Sequence, residues 1–197
     1  MAIVFEQPPA ALVGALEAAL PRFAEKPSVV ANMPAVAAAA KTPGRRIAAP
    51  VHVLGLDTIV RGTIPKRVAP KLWTSIIGSA DGLAMADVDV GTTKFASISE
   101  GTEVRALGKL MRSLESGEID TGQQDAKPTV LRVPALYLTA IWLQRGTPGT
   151  DDDIVIPAES ALSPLQGGKP ISMREFLAAL KPAAEEALRH ADDDTGG

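Results

Sequence analysis

The run from Val130 to Leu143, VLRVPALYLTAIWL, constrains the fold more than any other part of the chain. It holds the only tyrosine, Tyr137, and one of the two tryptophans, Trp142, and it carries no charge from Val133 onward. A bilayer-spanning helix takes about 20 apolar residues, so the run is too short to be one. Its branched and aromatic side chains, flanked by GQQDAKP and QRGTPGTDDD, predict one long strand buried on both faces. One face would carry Leu131, Val133, Ala135, Tyr137, Thr139, Ile141 and Leu143. The other would carry Val130, Arg132, Pro134, Leu136, Leu138, Ala140 and Trp142. Pro134 has no N–H to give a ladder, which places it near the strand start, at an edge or at a bulge.

The remaining elements are read around that strand. Ala2–Phe5 suits a short strand. Pro8 and Pro9 suit the first turn of a helix whose stripe is Ala11, Leu12, Ala15, Leu16, Ala19, Leu20 and Phe23, with Pro21 ending or kinking it. Residues 27–50 hold four prolines and a tetra-alanine. They predict loop or extended chain with a short helix at 35–41, and the alternative is an extended arm reaching a neighbouring subunit. VHVLGLDTIV (51–60) reads as a strand. Pro70 can open a short helix presenting Leu72, Trp73, Ile76 and Ile77. Residues 84–90 and 94–98 read as a hairpin about Gly91-Thr92. Ser99 as N-cap, the stripe Val104, Leu107, Leu110, Met111 and Leu114, and Gly117 as stop predict a helix. Ile154–Ile156 reads as a short strand that pairs with the long one. Ser172 and Glu175 form an S-x-x-E capping box before a last helix with core face Met173, Phe176, Leu177, Leu180, Ala184 and Leu188, kinked at Pro182.

Neighbouring strands predict an α+β fold: a single domain over 1–190, with a mostly antiparallel sheet centred on strand 130–143 and helices packed on one face. Residues 191–197 read as a disordered acidic tail. A hydrophobic share of 46% supports a real core, filled by aliphatic side chains because aromatics are only 4%. The Ala and Pro content agrees with a GC-rich bacterial or phage genome. Charge is uneven: residues 1–150 carry 16 basic and 13 acidic side chains, and 151–197 carry 4 and 10. Neither part is basic enough for a phosphate-backbone footprint. Cysteine is absent, which removes disulfides, thiol nucleophiles and thiolate metal sites. MAIVFEQPPA lacks a basic n-region and Glu17 interrupts the apolar run behind it, so the expected location is cytoplasmic.

No catalytic constellation emerges. His52 lies five residues before Asp57, which in a strand puts the two on opposite faces. His190 falls at the end of the last helix, where it reads as a surface residue. Asp120-Thr121-Gly122 matches the core of the aspartic-protease signature but follows a helix rather than a buried strand. Gly167-Gly168-Lys169-Pro170 lacks the spacing of a phosphate loop. Asp151, Asp152 and Asp153 read as a solvated acidic turn, and Asp87 and Asp89, with Asp81 nearby, as the wet side of a strand. Lys66, Arg67 and Lys71 beside Trp73 make too small a footprint for nucleic acid, and Trp73 reads as core. No catalytic, cofactor-binding or metal-ligating residue is assigned, and no cofactor is expected. The function read from these residues is a non-catalytic protein acting through protein–protein interaction, as a homo-oligomer or a subunit of a larger bacterial or phage assembly. The alternatives are a hydrolase built on Asp57, Asp87 and Asp89 with Ser or Thr groups, and a small-ligand-binding domain with its pocket beside Tyr137 and Trp142.

Overall fold

Six helices pack against one mixed sheet in a computed structural model, which describes residues 3–41, 44–66, 68–79, 82–122, 126–144, 153–159 and 164–194. The helices are α1 (Ala10–Ala24), α2 (Pro27–Asn32), α3 (Pro34–Lys41), α4 (Leu56–Arg61), α5 (Thr102–Ser116) and α6 (Met173–Asp194). The strands are β1 (Arg46–Val53), β2 (Leu72–Ser79), β3 (Gly82–Asp89), β4 (Lys94–Ser99), β5 (Lys127–Val133), β6 (Leu138–Gln144), β7 (Ile154–Pro157) and β8 (Ile171–Ser172). Their order is β4-β3-β2-β1-β5-β6-β7-β8. Only the β1–β5 pairing is parallel and the other six are antiparallel, so the expected α+β fold with a mostly antiparallel sheet holds.

Each half of the sheet is a four-strand meander that closes on a helix: β1 to β4 lead into α5, and β5 to β8 lead into α6. The halves meet at β1 and β5, where Val51, His52 and Val53 run beside Val130, Leu131 and Arg132. Helices cover both faces, not one. Successive side chains on a strand point to opposite faces. Ile47, Ala49 and Val51 pack with Val104, Leu107 and Met111 of α5. Ala48, between them, packs with α1 and α3, alongside Trp73 and Ile77 of β2. On that same face of the second half, Leu131 and Trp142 pack with Ile59 of α4 and with Phe176 and Leu180 of α6.

The long run at the centre is two strands rather than one. Val133 ends β5, Pro134–Leu136 form a single 3-10 turn, and Leu138 starts β6. Pro134 has no ladder donor, and Tyr137 closes the turn with φ of 49°. The two strands then fold back on each other as a hairpin from Val133↔Leu138 to Lys127↔Gln144. The β6–β7 pairing anticipated for Ile154–Ile156 is present.

The described residues of 27–50 form α2, α3 and the first part of β1. Pro27 and Pro34 each begin a short helix, where a missing N–H costs nothing. Val36 and Ala39 of α3 are fully buried against the sheet. The expected strand 51–60 stops at Val53, because Gly55 caps α4, Asp57 sits in its first turn and Gly62 ends it with φ of 63°. The expected helix after Pro70 is strand β2. Trp73 and Ile77 face one layer and Ile76 the other, so burial on both sides produced an apolar run that resembled a helical stripe. Ile3–Phe5 does not join the sheet, yet Ile3 and Phe5 are buried, and the Ile3 N–H donates to the Leu114 carbonyl at 2.9 Å. α1 continues past Pro21 to Ala24, and α6 past Pro182 to Asp194, into the stretch read as a tail; residues 195–197 lie outside the described residues.

The two strongest helix patterns hold in their stripes, but Ser99 is not the N-cap of α5: it ends β4, and Gly101 precedes the first turn at Thr102. Val104, Leu107, Leu110, Met111 and Leu114 of α5 are at most 4% exposed, and a fully buried side chain of this kind contributes about 1.5–3 kcal/mol. Gly117 ends α5 with φ of 77°. At α6 the Glu175 N–H donates to Ser172 Oγ at 3.1 Å, and the Ser172 N–H donates to Glu175 Oε2 at 2.9 Å, which is the reciprocal capping box.

Candidate functional site

A cavity of about 350 Å³ opens beside the β1–β5 seam, lined by strand residues, by Glu6 and by the approach to β2. Four strands floor it: Trp73 comes from β2, Pro50 and His52 from β1, Thr129 from β5 and Gln144 from β6. The pairing registers carry these side chains to one face, since Trp73 lies opposite Pro50, Thr129 opposite Trp142 and Lys127 opposite Gln144. Glu6 and Lys127 form one side of the rim, joined at 2.8 Å, with side chains 48% and 63% exposed. Val68, Ala69 and Pro70, on the way into β2, form the other.

His52 is the chemically distinctive member. Its ring stands edge-on to Trp142, with centroids 5.4 Å apart and planes at 78°. Its two nitrogens make no hydrogen bond to any described residue, although the ring is only half-buried and opens on the cavity. Burial holds its pKa below the ordinary value near 6.5, so the imidazole is neutral at neutral pH. A neutral imidazole offers one donor and one acceptor. Beside it, Gln144 Nε2 donates to Thr129 Oγ1 at 3.2 Å, and both residues are buried. The Trp73 side chain is 7% exposed and supplies an aromatic wall.

The structure scatters the other candidates. Asp57 lies on α4 and pairs with Arg61. Asp89 accepts from the Thr92 N–H and hydroxyl at the β3–β4 turn, and those bonds hold its carboxyl below the usual range. Asp87 lies on the opposite face from the cavity and is not on the wet side of its strand. It is 6% exposed, takes a bidentate bond from Arg132 at 2.7 and 2.9 Å, and accepts from Ser97 at 3.0 Å. Three interstrand steps of about 4.8 Å separate β5 from β3, so this ion pair needs a sheet that is concave on the α5 side. Asp57 lies on α4, apart from Asp87 and Asp89 on β3, and each of the three carboxylates is held by a different partner.

Asp153 is also buried rather than solvated. It accepts from Trp142 Nε1 at 3.0 Å, and its carbonyl accepts from the Met173 N–H at 3.0 Å. Asp81, Arg67, Asp151 and Asp152 lie outside the described residues. Trp73 is core, as expected, but it also walls the cavity. Tyr137 is 96% exposed while Trp142 is 1% exposed, so the two do not share a pocket. Asp120 accepts from the Gly122 N–H at 2.9 Å as an ordinary turn, and Gly167-Gly168 form a turn ahead of β8. His190 is exposed near Glu186. Among the described residues no group of three or more His, Asp or Glu side chains could hold a metal ion, and no helix is long and apolar enough to cross a membrane.

Sequence reasoning reached His52 only as a structural histidine and missed Thr129, Gln144, Lys127 and Glu6. The available signal was faint: Lys127 and Thr129 alternate with apolar residues at a strand end, as does Gln144 on the partner strand. No family model matches this chain, and neither does any curated protein or solved structure.

Proposed function

We propose that this chain is a non-catalytic binding domain whose ligand is a small molecule held in the cavity over the centre of the sheet. One observation carries the reading: His52 presents a desolvated imidazole, without an internal hydrogen-bond partner among the described residues, to a cavity of ligand size. Catalysis by His52 would need an orienting group on its second nitrogen and a nucleophile beside it. Asp57, the nearest carboxylate in sequence, pairs with Arg61 on α4 instead. A bound ligand stabilises the native state by mass action, by about 2.7 kcal/mol at a hundredfold excess over Kd. The chain has only two histidines, which makes imidazole NMR resonances a direct test. A ligand should shift the His52 signals and leave those of exposed His190 in place. A broad metabolite panel that moves neither would sink the reading.

A second reading, action through a protein partner, has its own observation. The turn between β5 and β6 holds the 96% exposed Tyr137 at positive φ, and Val53, at the end of the adjacent β1, is 54% exposed. Exposed aromatics of this kind anchor protein interfaces. Native mass measurement of the chain and of Tyr137→Ser tests it: a self-association or complex that the substitution abolishes supports the interface, and one unaffected by it argues against.

A further inference from the structure

The chemistry of the cavity narrows what it holds. We infer that the ligand is an uncharged, flat heterocycle of one or two rings that sets a hydrogen-bonding edge against His52. This rests on the cavity being a binding site, and it adds the ligand class.

Charge comes first. Among the described lining residues the ionised groups are Glu6 and Lys127, which pair with each other at the rim and are about half exposed. Among the described residues the interior offers no unpaired charge. A net-charged ligand would lose hydration there and gain no counter-charge, so a neutral one is favoured. Shape comes second. The walls are Trp73 and the prolines Pro50 and Pro70, which are rigid apolar surfaces with little side-chain entropy to lose. An aromatic ring gains from offset or edge contacts with such an indole beyond the area it buries. The volume, about 350 Å³, sits at the small end of the range for ligand pockets, which suits one or two rings and not a nucleotide with its phosphates. The polar edge comes last. Gln144 and Thr129 already bond to each other, whereas the two His52 nitrogens are unspent. A ligand that meets His52 with a ring nitrogen or an exocyclic N–H completes the hydrogen-bonding group left open among the described residues of the floor.

The test uses the whole chain and five probes at neutral pH: benzimidazole and adenine as neutral heterocycles, benzoate and benzamidinium as charged rings, and valeramide as a neutral non-aromatic. The readout is the His52 imidazole resonances, with His190 as the internal reference. Benzimidazole or adenine should shift His52 saturably, and more tightly than the other three. His52→Phe keeps a flat ring but loses the hydrogen bond and should weaken that binding about tenfold, read in this variant, which has no His52 signal, from the concentration dependence of the ligand-induced rise in Tm. Val68→Trp, at a 62% exposed rim position whose change leaves the core alone, should block the mouth and abolish the shift even where His52→Phe folds poorly. Saturable, tighter binding of benzoate, benzamidinium or valeramide at His52 would overturn the ligand class and leave the binding site standing. If no probe moves His52, the site itself falls and the ligand class with it.

Discussion

His52 reports its surroundings through protonation. Its folded pKa lies below the ordinary 6.5 because burial penalises the cation. The unfolded chain therefore takes up a proton at higher pH than the folded chain does. The contribution of His52 is complete above about pH 6.5, falls as pH drops from there toward the lowered folded value, and does not fall further below it. Urea midpoints measured from about pH 7 to about pH 5 should fall more steeply for the native chain than for His52→Gln, with the two curves parting only below about pH 6.5. Curves that stay parallel would mean that the ring is solvated. Arg132 and Asp87 give the opposite kind of test. Their side chains are 15% and 8% exposed, so removing one partner leaves the other charge without its counter-ion in the interior. Asp87→Ala should cost about 3–5 kcal/mol in chemical denaturation, whereas Arg132→Met combined with Asp87→Leu should recover most of that loss. A loss under about 1 kcal/mol would place the pair in the solvated class.

At the scale of elements, the same substitution has opposite signs in two places. Gly14 lies inside α1, and a Cβ added there meets nothing within 4 Å. Gly14→Ala should stabilise the chain by about 0.5–1 kcal/mol by removing the backbone entropy cost of glycine in a helix. Gly44 instead extends the β1–β2 ladder, and its Cβ would come within 2.7 Å of the Gly78 carbonyl oxygen. That neighbour is backbone and cannot swing away, so Gly44→Ala should cost about 1–3 kcal/mol. Thermal unfolding of both variants checks the pair, and equal shifts would refute the packing argument. The elements legible in the sequence were those with a one-sided pattern and explicit ends: α5 with its stripe and Gly117, α6 with Ser172 and Glu175, and the β3–β4 hairpin. The illegible ones were buried on both sides or were short. β2 showed no alternation because both of its faces are covered, and α4, at six residues, owes its helicity to Gly55, to Gly62 and to its packing against α6. The short helix at 35–41 was legible and is α3, whereas Pro27, which opens α2, read as loop because the start of a short helix and a loop ask for the same residue.

On the scale of the whole molecule, the candidate site was out of reach of sequence reasoning because it exists only where the two meanders meet. Positions 50, 52, 73, 129 and 144 become neighbours through the parallel β1–β5 pairing, which spans three residue pairs in the described structure. So short a seam raises the question of whether the halves unfold together. The core under α5 says that they do: Ile47, Val51, Ile76 and Met85 of the first half share one cluster with Val130, Ile141 and Ile156 of the second. The Arg132–Asp87 pair also ties the two halves together, and the Glu6–Lys127 contact ties the N-terminal segment to the second. The tryptophans are placed to test this, with Trp73 on β2 in one half and Trp142 on β6 in the other. In Trp142→Phe, fluorescence follows the first half, and in Trp73→Phe it follows the second. Far-UV circular dichroism follows the whole chain in each. Both substitutions should lower the urea midpoint, Trp142→Phe also through the bond to Asp153 that it loses. Within each variant the fluorescence and dichroism transitions should coincide, the mark of a two-state domain. If fluorescence in one variant changes ahead of the dichroism, the halves are separate cooperative units. A ligand bound across β2, β1, β5 and β6 would then stabilise the seam itself, and adding it would draw the two transitions together.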